Sequence, residues 1–240
     1  MKPIQPGPMA RCALLLALVF SGQFANAQEE LRYSWLDMSF MGQDVSRSGS
    51  LSPLPGQVVD ISTTDGSGVR FRGSIGTWKN LYLMVDYSST DIDLTGTVSN
   101  SNTGFVEEVE DEFDYTAIRG GVGLRFPLRY ETDIFGELTY DSLDFDFGSF
   151  AGENFDMARK EMGGTLGIRT MFGDHVQAYL HARYTSVGDA DLTTGIFDTY
   201  TLVGVGVAWE VIRGLSLVGD YESGEFSNFS VGFRLDLSED

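Results

Sequence analysis

From Leu31 to Leu237 the chain runs through one stretch after another in which apolar and polar residues alternate one for one. Around Ile118 the apolar set is Ile118, Val122, Leu124 and Phe126, against Arg119, Gly121, Gly123 and Arg125. Around Val205, the residues Val203, Val205, Val207 and Trp209 oppose Leu202, Gly204, Gly206 and Ala208; near the end, Phe229, Val231, Phe233, Leu235 and Leu237 oppose Asn228, Ser230, Gly232, Arg234 and Asp236. A period of two is the signature of β-strands, and its repetition along a whole chain predicts an all-β protein without helices. Four of the stretches close on related phrases, Tyr87-Ser88-Ser89, Tyr140-Asp141-Ser142, Tyr184-Thr185-Ser186 and Tyr221-Glu222-Ser223, so the unit repeats.

The pattern predicts ten strands: Leu31 to Gln43, Gly68 to Thr77, Leu81 to Asp93, Phe113 to Phe126, Asp133 to Phe145, Ala158 to Phe172, His175 to Val187, Tyr200 to Val211, Leu215 to Ser223 and Ser227 to Leu237. Short connections (Trp78 to Asn80, Pro127 to Thr132, Gly173-Asp174, Ile212 to Gly214) alternate with longer ones (Asp44 to Ser67, Leu94 to Glu112, Gly148 to Met157, Gly188 to Thr199); the last hairpin, at Gly224-Glu225, is short. An even number of antiparallel strands with turns at one end and loops at the other predicts an up-and-down barrel. In lipid a sheet must close on itself to satisfy its backbone groups, with the apolar face outward. A soluble lipocalin-like barrel would reverse both faces. The loop asymmetry favours the membrane form, as do tyrosines at one end of the strands and Phe126, Phe172 and Trp209 at the other.

In these features the chain resembles the small ten-stranded, porin-like outer-membrane β-barrels of Gram-negative bacteria. The resemblance covers essentially all of Leu31 to Leu237 and rests on the hairpin repeat, on strands such as Gly73-Ser74-Ile75-Gly76, Gly121-Val122-Gly123 and Gly204-Val205-Gly206, and on the closing strand Phe229-x-Val231-x-Phe233-x-Leu235-x-Leu237. That strand is similar to the signal read by the outer-membrane assembly machinery, except that the family pattern ends on an aromatic residue and this one on Leu237, followed by Ser238-Glu239-Asp240. The resemblance implies a location in the cell outer membrane, contact with its lipid and lipopolysaccharide, and a monomer.

The N-terminus agrees with that address. Lys2 and Arg11 form a basic start, Cys12 to Phe20 is an apolar core, and Ala25-Asn26-Ala27 has the form of a cleavage site, so residues 1–27 read as a signal peptide and 28–240 as the barrel domain. The only cysteine, Cys12, falls inside the signal, which leaves the exported part without a thiol or disulfide. Without Lys2 and Arg11, 14 basic residues stand against 35 acidic ones, a net charge of −21 that excludes nucleic acid as a partner.

The strand faces assigned to the lumen carry eight arginines (Arg70, Arg72, Arg119, Arg125, Arg159, Arg169, Arg183, Arg234) and nine acids (Asp37, Asp86, Glu137, Asp141, Glu161, Glu210, Asp220, Glu222, Asp236). The interior is thus nearly neutral, and the excess negative charge belongs to loops and rims. Folding the second hairpin about Lys79 sets Arg72 opposite Asp86, and folding the next about Arg129 sets Arg119 between Glu137 and Asp141, which predicts two interior ion pairs. Such a network reads first as a plug and second as the lining of a narrow selective channel. Lys160 falls on the lipid face near the outer end of its strand, where it can snorkel or meet lipopolysaccharide phosphate.

Catalytic signals are weak. His175 lies at a periplasmic turn and His181 in the lumen beside Arg183, neither in the rim motif that the omptin proteases among ten-stranded barrels use, so no catalytic, cofactor-binding or metal-ligating residue is assigned and the chain reads as a non-enzyme. The acidic run Glu107-Glu108-Val109-Glu110-Asp111-Glu112 reads as a solvated loop or, alternatively, as a place where divalent cations gather; it lacks the spacing of an EF-hand. The function expected is therefore a structural or surface-interaction role, with a narrow porin-like channel as the alternative.

Overall fold

A computed structural model of the protein describes residues 33–51, 56–78, 80–129, 131–150, 153–185, 200–224 and 226–237. The expected signal peptide, the first residues of the first strand from Leu31, and the connection Gly188 to Thr199 lie outside them. Ten antiparallel strands are present: β1 (Trp35–Leu51), β2 (Gln57–Trp78), β3 (Leu81–Asn100), β4 (Phe105–Arg129), β5 (Thr132–Phe150), β6 (Glu153–Phe172), β7 (Val176–Thr185), β8 (Tyr200–Ile212), β9 (Leu215–Ser223) and β10 (Ser227–Asp236). Each pairs with its sequence neighbours, and β1 pairs with β10 from Trp35↔Asp236 to Asp44↔Ser227, so the sheet closes into a barrel. Two of the tight turns at the end that carries the termini hold a glycine in the left-handed region, Gly173 at φ 63° and Gly214 at φ 79°.

The faces fall as the alternation predicts. Along β10 the outward residues Phe229, Val231, Phe233 and Leu235 are 59, 62, 53 and 49% exposed, while Ser230 and Arg234 between them are 3 and 5% exposed. The outward row from Phe229 to Leu237 covers about 27 Å of strand at ~3.4 Å per residue, or roughly 21 Å along the axis for a strand tilted ~40°. That is close to the ~25 Å apolar band of membrane barrels. Trp78, Phe126 and Trp209 are exposed toward the turn end, Tyr140, Tyr184 and Tyr221 toward the other, and Phe71 lies against Tyr87 with ring centroids 6.3 Å apart. A protein with greasy rings outside and buried guanidinium groups inside is built for lipid, and the inverted soluble arrangement is not adopted.

The strands at the far end run longer than expected. Asp44 to Ser67, Leu94 to Glu112 and Gly148 to Met157, expected to be loops, are largely strand: β1 and β2 stay paired to Leu51↔Val59, β2 and β3 to Gln57↔Asn100, β3 and β4 to Asn100↔Phe105, and β5 and β6 to Phe150↔Glu153. Above the bilayer both faces of a sheet meet water, so the apolar half of the pattern is lost and the composition reads as loop. The ladder itself needs only backbone groups and β-compatible residues such as Val58, Val59, Thr95, Thr97 and Val98. The hairpin of β3 and β4 closes where Asn100 C=O accepts from Gly104 N–H at 2.9 Å, with Gly104 at φ 70°. Pairing of β4 with β5 ends at Asp114↔Asp146, so the upper part of β4 borders on no neighbour in β5.

Candidate functional site

The lumen is the chemically distinctive region. Among the described residues, seven arginines reach it on strands β2, β4, β6, β7 and β10, with Arg70, Arg72, Arg119, Arg169, Arg183 and Arg234 buried and Arg125 half-buried. Asp37 lies at the centre of one group: Arg234 Nε and Nη2 donate to its Oδ1 and Oδ2 at 2.6 and 2.9 Å, and Arg72 Nη2 donates to Oδ2 at 3.0 Å. Arg72 also grips Asp220 with Nη1 and Nη2 at 3.1 and 2.6 Å, and Tyr179 OH donates to the same carboxylate. Arg234 Nη1 donates to Gln177 Oε1 at 2.9 Å.

A second group surrounds Glu222. Its Oε2 accepts from Arg183 Nη2 at 2.8 Å and lies 3.9 Å from Arg70 Nη1, and its Oε1 is 2.8 Å from His181 Nε2. Arg70 is held in turn by Asp86, with Nε and Nη2 donating at 2.9 and 2.6 Å. Arg119 Nε donates to Asp141 Oδ1 at 3.1 Å.

Aromatic side chains cluster toward the turn end. Tyr33, just ahead of β1, donates its hydroxyl to Asp133 Oδ2 at 2.9 Å; Arg169 lies over its ring at 3.6 Å, Arg125 at 4.9 Å, and the Tyr82 ring is 4.8 Å away. Tyr82 OH donates to Glu137 Oε1 at 2.9 Å, and Arg234 covers Trp35 at 4.2 Å. Opposed glycines make room for the rings. Tyr82 faces Gly123 and Tyr179 faces Gly206 across the ladder, and a methyl at either glycine would fall inside the facing ring.

The β2–β3 register is the expected one, Arg72↔Asp86, whereas Arg119, expected between Glu137 and Asp141, lies directly opposite Asp141; of the two expected ion pairs only Arg119–Asp141 forms. Arg72 instead reaches Asp37 and Asp220, and Asp86 takes Arg70, two residues along β2. Arg72 has a directly opposed carboxylate on each side, Asp37 on β1 and Asp86 on β3, and its long stem takes Asp37 together with Asp220 across the narrow lumen. Glu137, expected beside Arg119, accepts from Tyr82 instead. Glu161 is exposed, and Glu210 caps a turn by accepting from Gly214 N–H at 2.8 Å, with His175 Nδ1 3.8 Å away. The side chain of Arg159 lies outside the described residues. Tyr33, Trp35, Tyr82, Asp133, Gln177 and Tyr179 were absent from the expected interior set, although their position parity places each beside a residue that was in it.

Outside the lumen, Glu107, Glu108, Glu110 and Glu112 are exposed on the upper part of β4. They are therefore strand residues and not loop residues. Lys160 is exposed and pairs with Ser142, one outward position above Tyr140↔Met162, which puts it just beyond the tyrosine level. Among the described residues no group of three or more His, Cys, Asp or Glu side chains is arranged to hold a metal ion.

No protein-family model matches this sequence, and no curated protein does. Among solved structures, the chain is similar to the β domain of the Bordetella autotransporter BrkA (14% identity, 86% of this chain and 100% of that one, TM-score 0.47). It is similar also to the outer membrane protein OprG from Pseudomonas aeruginosa (9% identity, 88% and 98%, TM-score 0.46) and to Neisserial surface protein A (12% identity, 87% and 100%, TM-score 0.39). By its own geometry, closed, ten-stranded, antiparallel, apolar without and charged within, the chain has the fold of the small outer-membrane β-barrels.

Proposed function

We propose that this protein is exported by its N-terminal signal to the outer membrane of a Gram-negative cell and serves there as a closed barrel with a structural or surface-interaction role. The observation that carries this reading is the ion-paired lumen: Asp37, Asp86, Asp220 and Glu222 are each held by one or more guanidinium groups in its middle, and Tyr33 with Tyr82 lies toward the turn end. Above the lipid, the paired extensions of β2, β3 and β4 carry Glu107, Glu108, Glu110 and Glu112 outward, where they present negative charge to divalent cations bridging lipopolysaccharide phosphates. Lys160, just above the tyrosines, meets the same phosphates directly. No catalytic role is assigned to either histidine, since His181 is engaged by Glu222 and His175 sits by Glu210 at a turn.

The test is conductance of the refolded mature protein in a planar bilayer. Silence is expected. Reproducible unitary steps would favour the second reading, a narrow channel, for which the interior cavities described below speak. In that case ion selectivity should change when Arg72 or Asp86 is neutralised.

A further inference from the structure

Inside the barrel, toward the turn end, lies a cavity of about 100 Å³ lined by six arginines and only three carboxylates, Asp86, Glu137 and Glu222. Its polar inventory is one-sided. Buried nitrogens that find no acceptor belong to four of its lining residues: Trp35 Nε1, Arg72 Nε, Arg183 Nε, and both Nε and Nη2 of Arg169. No carboxylate oxygen of the lining residues is left over in the same way; the unpaired carboxylate oxygen, Asp141 Oδ2, belongs to a smaller cavity of about 40 Å³ nearer the far end. Buried donors without acceptors are costly, and their concentration at one cavity calls for an acceptor-rich occupant.

Arg169 carries two of these donors on one edge. Nε and Nη2 form the side-on edge of a guanidinium, the edge with which Arg70 holds Asp86 and Arg234 holds Asp37, two bonds in each case. Three arginines of the lumen thus display one fork. In two of them a carboxylate of the chain fills it, and in Arg169, 6% exposed and stacked on Tyr33, nothing does. Asp133, its ladder partner, is drawn off by Tyr33 OH and lies 3.9 Å from Arg125.

We propose that this cavity is a binding site for a small oxyanion, a carboxylate or phosphate group seated on the Arg169 fork, with Trp35, Arg72 and Arg183 supplying further N–H donors. The anion completes a network that the chain's own carboxylates leave short of acceptors. The proposal goes beyond the structural role above, for a barrel that conducts nothing can still hold a ligand.

The experiment uses the refolded barrel in detergent, with the arginine Nε–H resonances followed by NMR at constant ionic strength. Sodium formate, sodium phosphate and, as a control too bulky for the cavity, a naphthalene disulfonate are added in separate titrations. A saturable shift of the Arg169 resonance with formate or phosphate and none with the disulfonate is expected, and the two arms distinguish carboxylate from phosphate recognition. Arg169→Lys, which keeps the charge but has no fork, should weaken binding about tenfold. The absence of any saturable shift, as water alone in the cavity predicts, overturns the proposal, and so does undiminished affinity in Arg169→Lys. Should that variant fail to fold, Trp35→Phe removes one donor and no charge; it must weaken formate binding several-fold, and unchanged affinity there is equally fatal.

Discussion

The barrel carries carboxylates in two settings that differ in everything but chemistry. In the lumen, Asp37, Asp86, Asp220 and Glu222 are buried, and each is matched to arginines on other strands. On the upper part of β4, Glu107, Glu108, Glu110 and Glu112 stand exposed on a strand that extends above the lipid. The difference teaches that a charge here is structural only where burial makes its partner indispensable. A lumen carboxylate that loses its arginine cannot turn to bulk water, whereas a β4 carboxylate is already solvated.

The strongest test of this contrast is Asp37→Asn. It removes the charge and one of the two acceptor oxygens that take bonds from Arg234 and Arg72, leaving both guanidinium groups short of a carboxylate, and it should cost about 3 kcal/mol of unfolding free energy, measured by denaturant titration in detergent. Adding Arg234→Met should restore part of the loss, since it removes the stranded charge. A loss no larger than that from a β4 glutamate would break the comparison. Next in size is Gly206→Ala, whose methyl displaces the Tyr179 ring and with it a donor to Asp220; about 2 kcal/mol of destabilisation is expected. Pairing it with Tyr179→Ser should give less than the sum of the two single effects. The smallest effect belongs to the quadruple change of Glu107, Glu108, Glu110 and Glu112 to Gln. Its unfolding midpoint should match the wild type, while calcium uptake measured by calorimetry disappears; a midpoint lowered as far as in Asp37→Asn would erase the distinction between the two settings.

The sequence made one layer of this molecule plain and hid two others. Within the lipid zone, Phe229 to Leu237 and Ile118 to Phe126 state their faces by period two, and the turn at Lys79 sets Arg72 opposite Asp86, whereas the longer turn before Thr132 shifts Arg119 by two residues, onto Asp141. The pairing chemistry was not legible, because Arg72 on β2 bonds Asp220 on β9, a neighbour supplied by closure of the barrel and invisible to local patterning. The strand extensions were hidden for the opposite reason. With water on both faces, Gln57 to Ser67 and Phe105 to Glu112 need no apolar alternation, and their pairing shows only in the ladder. The unfilled fork of Arg169 lay deeper still, since parity assigns Arg169 to the lumen but cannot reveal that Tyr33 takes its partner Asp133.

The position of Asp37 has one more consequence. It sits on the first strand, between Arg72 of the second and Arg234 of the last, so its bidentate clasp exists only after the chain's two ends have met. An assembling sheet that has not yet annealed along that seam leaves Arg234 searching for an anion. The final zipping of first strand to last is thereby rewarded at a single carboxylate, which fastens the cylinder where no hairpin does.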